Sequence, residues 1–163
     1  MTKGARMNKT WILHVEDNEQ DIFFMQRAFK AAGIENPIQH VQDGEEAIDY
    51  LEGTGAFADR KGVLQPHLVL LDLKLPGKSG LEVLEWIRAH PILRALVVIV
   101  FSSSPEPADV ERAYHLGANS YIVKPMDLDQ YAEIAILLKR WWLGYNQFAP
   151  LGGTPLIFES SPT

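Results

Sequence analysis

Five short runs restrict this chain most: residues 11–15, 37–41, 68–71, 96–101 and 120–123 are β-branched or leucine-rich, and most are apolar at consecutive positions. A half-exposed strand alternates apolar and polar residues, whereas a run apolar on both sides fits a strand covered by helices above and below. Between the runs the apolar spacing becomes helical. Ile22, Met25, Phe29 and Ala32 lead to Gly33, Ala47 pairs with Leu51, Leu81, Leu84 and Ile87 stop before Pro91, and Val110, Ala113 and Tyr114 lead to Gly117. After Lys124-Pro125 a last helix is expected from Asp127, with Leu128, Tyr131, Ala135, Leu138 and Trp142 on one face. Strand and helix therefore alternate five times, which predicts an α/β fold: a five-stranded parallel sheet with right-handed crossovers, (βα)5, doubly wound. Such sheets bind ligands beyond the carboxyl ends of their strands.

With 163 residues the chain has room for one domain, read here as 10–143 between a basic tail at 1–9 and a Gly/Pro/Ser-rich tail at 144–163, both expected to be mobile. Residues 53–65 read as an extended loop. The absence of cysteine excludes disulfides, thiolate metal sites and a cysteine nucleophile. A net charge of −6 offers no general attraction to phosphate backbones or anionic lipid, so neither nucleic acid nor membrane is expected as a partner. The longest apolar run is far shorter than the roughly 20 residues of a membrane span, and the N-terminus lacks a signal-peptide core, which makes a cytoplasmic location the expectation.

The chemistry collects at the ends of the runs. Glu16 and Asp17 follow the first, Asp72 the third, Ser102 the fourth and Lys124 the fifth, all on one edge of the expected sheet. Three crowded carboxylates repel one another, and a hard divalent cation, Mg²⁺, is the usual physical remedy. Asp72 is a candidate nucleophile, and a phosphoryl group on it would meet Lys124, the Ser102 hydroxyl and the cation.

These residues resemble the response-regulator receiver domain of two-component signalling. The likeness rests on Val15-Glu16-Asp17-Asn18, on the stretch from Leu70 through Asp72 and Lys74 to Gly80, on Val100-Phe101-Ser102-Ser103, and on Gly117-Ala118 with Tyr121-Ile122-Val123-Lys124-Pro125. Ser102 lies 30 residues past Asp72 and Lys124 22 past Ser102, as the family pattern expects. The resemblance covers roughly 10–143 and implies a flavodoxin-like receiver fold with strand order 2-1-3-4-5. It implies that Asp72 accepts a phosphoryl group from a phosphohistidine on a sensor histidine kinase. Asp17 and Asp72 would then ligate Mg²⁺, Glu16 would act on it mainly through water, and the backbone carbonyl of Lys74 would complete the protein's share. Lys124 and Ser102 would hold the phosphoryl oxygens, and Ser102 with Tyr121 would form the switch. Glu16 and Ser102 stand where Asp and Thr are more usual in the family. Both keep the functional group.

The 53–65 loop and Trp141-Trp142-Leu143 look like the stand-alone receivers that serve phytochrome kinases. The residues after 143 are too few for an output domain, so signal is expected to leave through changed protein contacts or a phosphorelay to a phosphotransfer protein. A homodimer is the expected assembly, through the fourth-helix, fifth-strand and fifth-helix face, with Tyr131, Trp141 and Trp142 as anchors and Lys139-Arg140 facing Asp109 and Glu111. The bland reading puts Trp142 in the monomer's own core. His14 and the scattered His40, His67, His90 and His115 read as packing or surface residues, no pair having ligand spacing.

On this reading the chain is a phosphoacceptor signalling protein and not an enzyme, though it takes part in its own phosphoryl transfer and dephosphorylation. An aspartate-nucleophile phosphatase would want a second acid two residues after Asp72, where Lys74 stands. A flavodoxin-like electron carrier would find its phosphate repelled by Glu16-Asp17-Asn18-Glu19. A degenerate receiver used as a scaffold is the third alternative, and the complete residue set argues against it.

Overall fold

A computed structural model describes residues 10–60 and 65–151; the expectations for residues 1–9 and for the tail beyond 151 lie outside the described residues. Five strands form one parallel sheet: β1 (Ile12–Val15), β2 (Ile38–Val41), β3 (Leu68–Leu71), β4 (Val97–Ser102) and β5 (Ser120–Val123), in the order β2-β1-β3-β4-β5. Ile12 stands beside both Ile38 and Leu68, Leu68 beside Val97, and Ile99 beside Ser120. Every residue of β1, β3 and β4 is buried, while the edge strands β2 and β5 are partly open. Consecutive apolar residues thus mark the central strands, as two-sided burial requires.

The helices are α1 (Glu19–Ala31), α2 (Gly44–Glu52), α3 (Gly80–Ala89), α4 (Pro107–His115) and α5 (Leu128–Arg140). Asn18, Asp43, Ser79 and Asp127 each cap a first turn by accepting a backbone N–H, and Ser79 with Glu82 closes a reciprocal capping box. Strand alternation sorts the core into two layers. Ile12, Leu68, Leu70, Ile99 and Phe101 pack on α1 and α5, whereas Leu13, Val15, Val69, Leu71 and Val98 pack on α2 and α3. Val100 meets Ala113 of α4 in a smaller cluster.

Two departures from expectation have local causes. Residues 53–60 are not simply extended: Gly53 ends α2 with φ of 70°, and Gly55–Arg60 winds into 3-10 turns, while residues 61–64 of the expected loop lie outside the described residues. Phe57 sets its edge against the Tyr50 ring, and the Arg60 guanidinium lies over the same ring, 3.4 Å from its centre. After α5 the chain widens into a π turn, Trp141–Tyr145, closed by the Asn146 N–H on the Trp141 carbonyl.

The connection from β3 to α3 is pinned against its neighbours. Both Glu45 carboxylate oxygens accept from the Lys78 N–H, and a side chain at Gly80 would stand 2.0 Å from the Asp72 carbonyl oxygen. Close backbone contact at Gly80 therefore fixes where the loop leaves Asp72.

Candidate functional site

The carboxyl ends of β1, β3 and β5 deliver Glu16, Asp72 and Lys124 to one place, and α1 adds a residue that sequence spacing did not single out, Asp21. The Lys124 ammonium lies 2.6 Å from Glu16 Oε2, 2.8 Å from Asp21 Oδ2 and 3.3 Å from Asp72 Oδ2. All three partners draw its pKa upward against the cost of burial, and the ammonium stays charged. Glu16 is only 1 % exposed, and burial pushes its carboxyl up to about 7, with Lys124 opposing and Asp72 reinforcing the shift. Its other oxygen accepts the Asn18 N–H, while Asp72 Oδ1 accepts the N–H of Leu73 at 2.8 Å.

Glu16, Asp17 and Asp72 each offer an oxygen within 4.8 Å of the others. Three carboxylates, Glu16, Asp21 and Asp72, share one ammonium, and Asp17 adds a fourth acid beside Glu16 and Asp72. An excess of anionic oxygens at this spacing fits a hard divalent cation, which would also offset the burial and the Asp72 charge that raise the Glu16 carboxyl. Lys74 lies exposed at the start of the β3–α3 loop, two residues past Asp72.

Ser102 is fully buried at the end of β4, its hydroxyl oxygen accepting the Ser104 N–H. Tyr121 donates its hydroxyl to the Ser104 carbonyl at 2.7 Å, and the Ser104 hydroxyl donates to Asp109. Ser104 thus joins the two expected switch residues, Ser102 and Tyr121, to the start of α4. Sequence spacing missed it because a serine among four loop residues carries no signal of its own.

The expected interface anchors separate. Tyr131 is a correction: it is 2 % exposed, stacked edge-on against Phe24 and Phe101, with its hydroxyl donating to Asp21, so its ring belongs to the monomer core. Trp142 packs partly buried on the same layer, as the bland reading had it. Trp141 is 59 % exposed, beside exposed Leu137. Asp109, expected to face a partner's cations, already accepts from Ser104.

Four of the histidines have local partners, and His115 is exposed. His14 and His40 stand side by side on β1 and β2 with their Nδ1 atoms 3.0 Å apart, and burial, then His40, then Lys124 push His14 down to about 3. His67 accepts the Trp11 N–H, and His90 accepts two N–H groups at the next turn.

The pattern that defines the response regulator receiver domain matches residues 12–135. The probable methanogenesis regulatory protein FilR2 of Methanothrix harundinacea is 38 % identical over 136 residues, which cover 83 % of this chain and 85 % of FilR2. The crystal structure of the phosphorylated cyanobacterial phytochrome response regulator RcpA is 36 % identical and superposes with a TM-score of 0.79, covering 86 % of this chain and 98 % of RcpA. The Mn²⁺-bound form of response regulator Rcp1, a protein of Synechocystis sp., is 31 % identical with a TM-score of 0.78, covering 86 % and 99 %. No helix among the described residues is long and apolar enough to cross a membrane.

Proposed function

Because the chain belongs to the response-regulator receiver domain family, we propose that it is a phosphoacceptor of two-component signalling that takes its phosphoryl group on Asp72 from a sensor histidine kinase. The observation that carries this reading is Lys124, an ammonium held within 3.3 Å of the Asp72 carboxylate at the strand ends. In the transfer, an Asp72 carboxylate oxygen forms a bond to phosphorus as the phosphorus–nitrogen bond of the kinase phosphohistidine breaks, and the freed imidazole takes up a proton. Lys124 turns its N–H groups to the phosphoryl oxygens, and the Ser102 hydroxyl donates to another. Glu16, Asp17, Asp72 and the Lys74 carbonyl would hold Mg²⁺. When bound, that ion supplies positive charge for the oxygens of the transferring group.

The kinase partner belongs, on this reading, to the phytochrome class, supported by the likeness to RcpA and Rcp1. Readout runs from Ser102 through Ser104 and Tyr121 to α4, by changed protein contacts or relay to a phosphotransfer protein. A cytoplasmic location without a nucleic-acid partner is part of the same proposal, supported by the net charge of −6.

Acetyl phosphate with Mg²⁺, followed by intact-mass measurement, tests the core of the proposal. One phosphoryl group per chain is expected, and none in excess EDTA. Equal labelling in EDTA rejects the metal role, and no labelling under either condition rejects the phosphoacceptor.

Homodimerisation through α4, β5 and α5 is the assembly we propose, now resting on Trp141, with Val123 at the end of β5 and Leu137 on α5 as further exposed apolar residues of these elements. Light scattering across a concentration series should show a dimer that Trp141→Ala weakens by at least about tenfold, the usual reach of an exposed aromatic anchor. A monomer at high micromolar concentration, with and without beryllofluoride, rejects it.

A further inference from the structure

Lys124 has three N–H donors, and three carboxylates meet it: Glu16, Asp21 and Asp72. Glu16 and Asp72 also belong, with Asp17, to the oxygen cluster suited to a cation. A cation held there would compete with the ammonium for both of them. Asp21 is not part of that cluster. It stands in the first turn of α1, with one oxygen on Lys124 and the other accepting the Tyr131 hydroxyl from α5 at 3.3 Å. Its side chain is 26 % exposed, against 1 % for Glu16 and 6 % for Asp72, so water can solvate Asp21 when the ammonium leaves it.

A phosphoryl group on Asp72 carries about −1.5 to −2 charge and needs donors that Lys124 must supply. We propose that Asp21 is a positioning residue that holds the Lys124 ammonium in the unphosphorylated protein and competes with the phosphoryl oxygens for it, so that its carboxylate limits how tightly the site retains the group. The bland account of Asp21 is an acid favoured by the dipole at a helix start, tied to Tyr131 for packing. That account gives Asp21 no influence on an anion bound at Asp72.

The inference rests on the phosphoacceptor reading, and beryllofluoride, the phosphoryl mimic, separates the two. Titrations monitored by NMR in saturating Mg²⁺ would compare the wild-type chain with Asp21→Asn, which keeps the shape and an oxygen for Tyr131, and with Asp21→Glu, which restores the charge. Asp21→Asn should bind beryllofluoride roughly fivefold to tenfold more tightly, the scale expected when a partly exposed charge pair is removed beside an anion. Its Mg²⁺ affinity without beryllofluoride should be no higher than wild type, and Asp21→Glu should fall back toward wild-type beryllofluoride binding. Asp21→Ser, also uncharged, repeats the measurement should the amide not fold. A neutral variant that binds beryllofluoride as weakly as wild type, or one that loses Mg²⁺ and beryllofluoride in step, overturns the inference alone. Failure of the wild-type chain to bind beryllofluoride overturns both readings.

Discussion

Asp72→Asn should gain no phosphoryl group from acetyl phosphate and Mg²⁺ under conditions where the wild-type chain gains one. The carboxylate is the nucleophile in the proposed transfer, and an amide offers no anionic oxygen to form the bond. The substitution is close to a clean chemical deletion. An amide oxygen still accepts the Leu73 N–H that Asp72 Oδ1 now accepts, and Lys124 keeps Glu16 and Asp21. Removing one of several crowded carboxylates also relieves repulsion on Glu16, whose carboxyl Asp72 helps to raise. Urea unfolding in EDTA should therefore show the variant at least as stable as wild type, so that lost labelling cannot be blamed on lost structure. Full labelling of Asp72→Asn, read by intact mass, removes Asp72 from the role.

The reading of the strands depended on burial that the sequence itself encodes. Leu68 to Leu71 are apolar at four successive positions because β3 lies between two others with helices on both faces, and that pattern placed Asp72 at a strand end without any tertiary information. Asp21 was invisible for the opposite reason. An acid in a first turn is common on dipole grounds alone, and only the packing of α1 against α5 carries it to Lys124, 103 residues away. Tyr131 departs from the expected interface because α5 is apolar on more than one face: Tyr131, Ala135 and Leu138 point into the core while Ile136 and Leu137, and Trp141 just past the helix, stay exposed. Periodicity marks a stripe as apolar but does not say whether sheet or partner covers it. The turns at 55–60 are not legible in the sequence because their order comes from Phe57 and Arg60 meeting the Tyr50 ring, contacts that no local propensity announces.

Lys124→Met should give the larger structural effect, and one whose sign depends on the ligand. The ammonium is 7 % exposed and balances two carboxylates that are still more buried, so its removal leaves Glu16 and Asp72 without a counterion. Breaking a buried pair from one side costs about 3–5 kcal/mol, and the lower end is expected here because Glu16 can escape by taking a proton. Lys124 is what now holds the Glu16 carboxyl down against burial, so without it that carboxyl rises above its present value of about 7 and is protonated at neutral pH. Urea unfolding at pH 7 in EDTA should therefore show a loss of about 3 kcal/mol. Titration at pH 8.5, where more of Glu16 is ionised, should show the variant binding Mg²⁺ more tightly than wild type, because its cationic competitor is gone, and Mg²⁺ should then recover stability in proportion to that affinity. Beryllofluoride should behave oppositely and weaken by at least about tenfold, since the anion loses a charge-assisted donor. If stability in EDTA is unchanged, or if Mg²⁺ and beryllofluoride weaken together, Lys124 is not the shared partner of the carboxylates and the phosphoryl group.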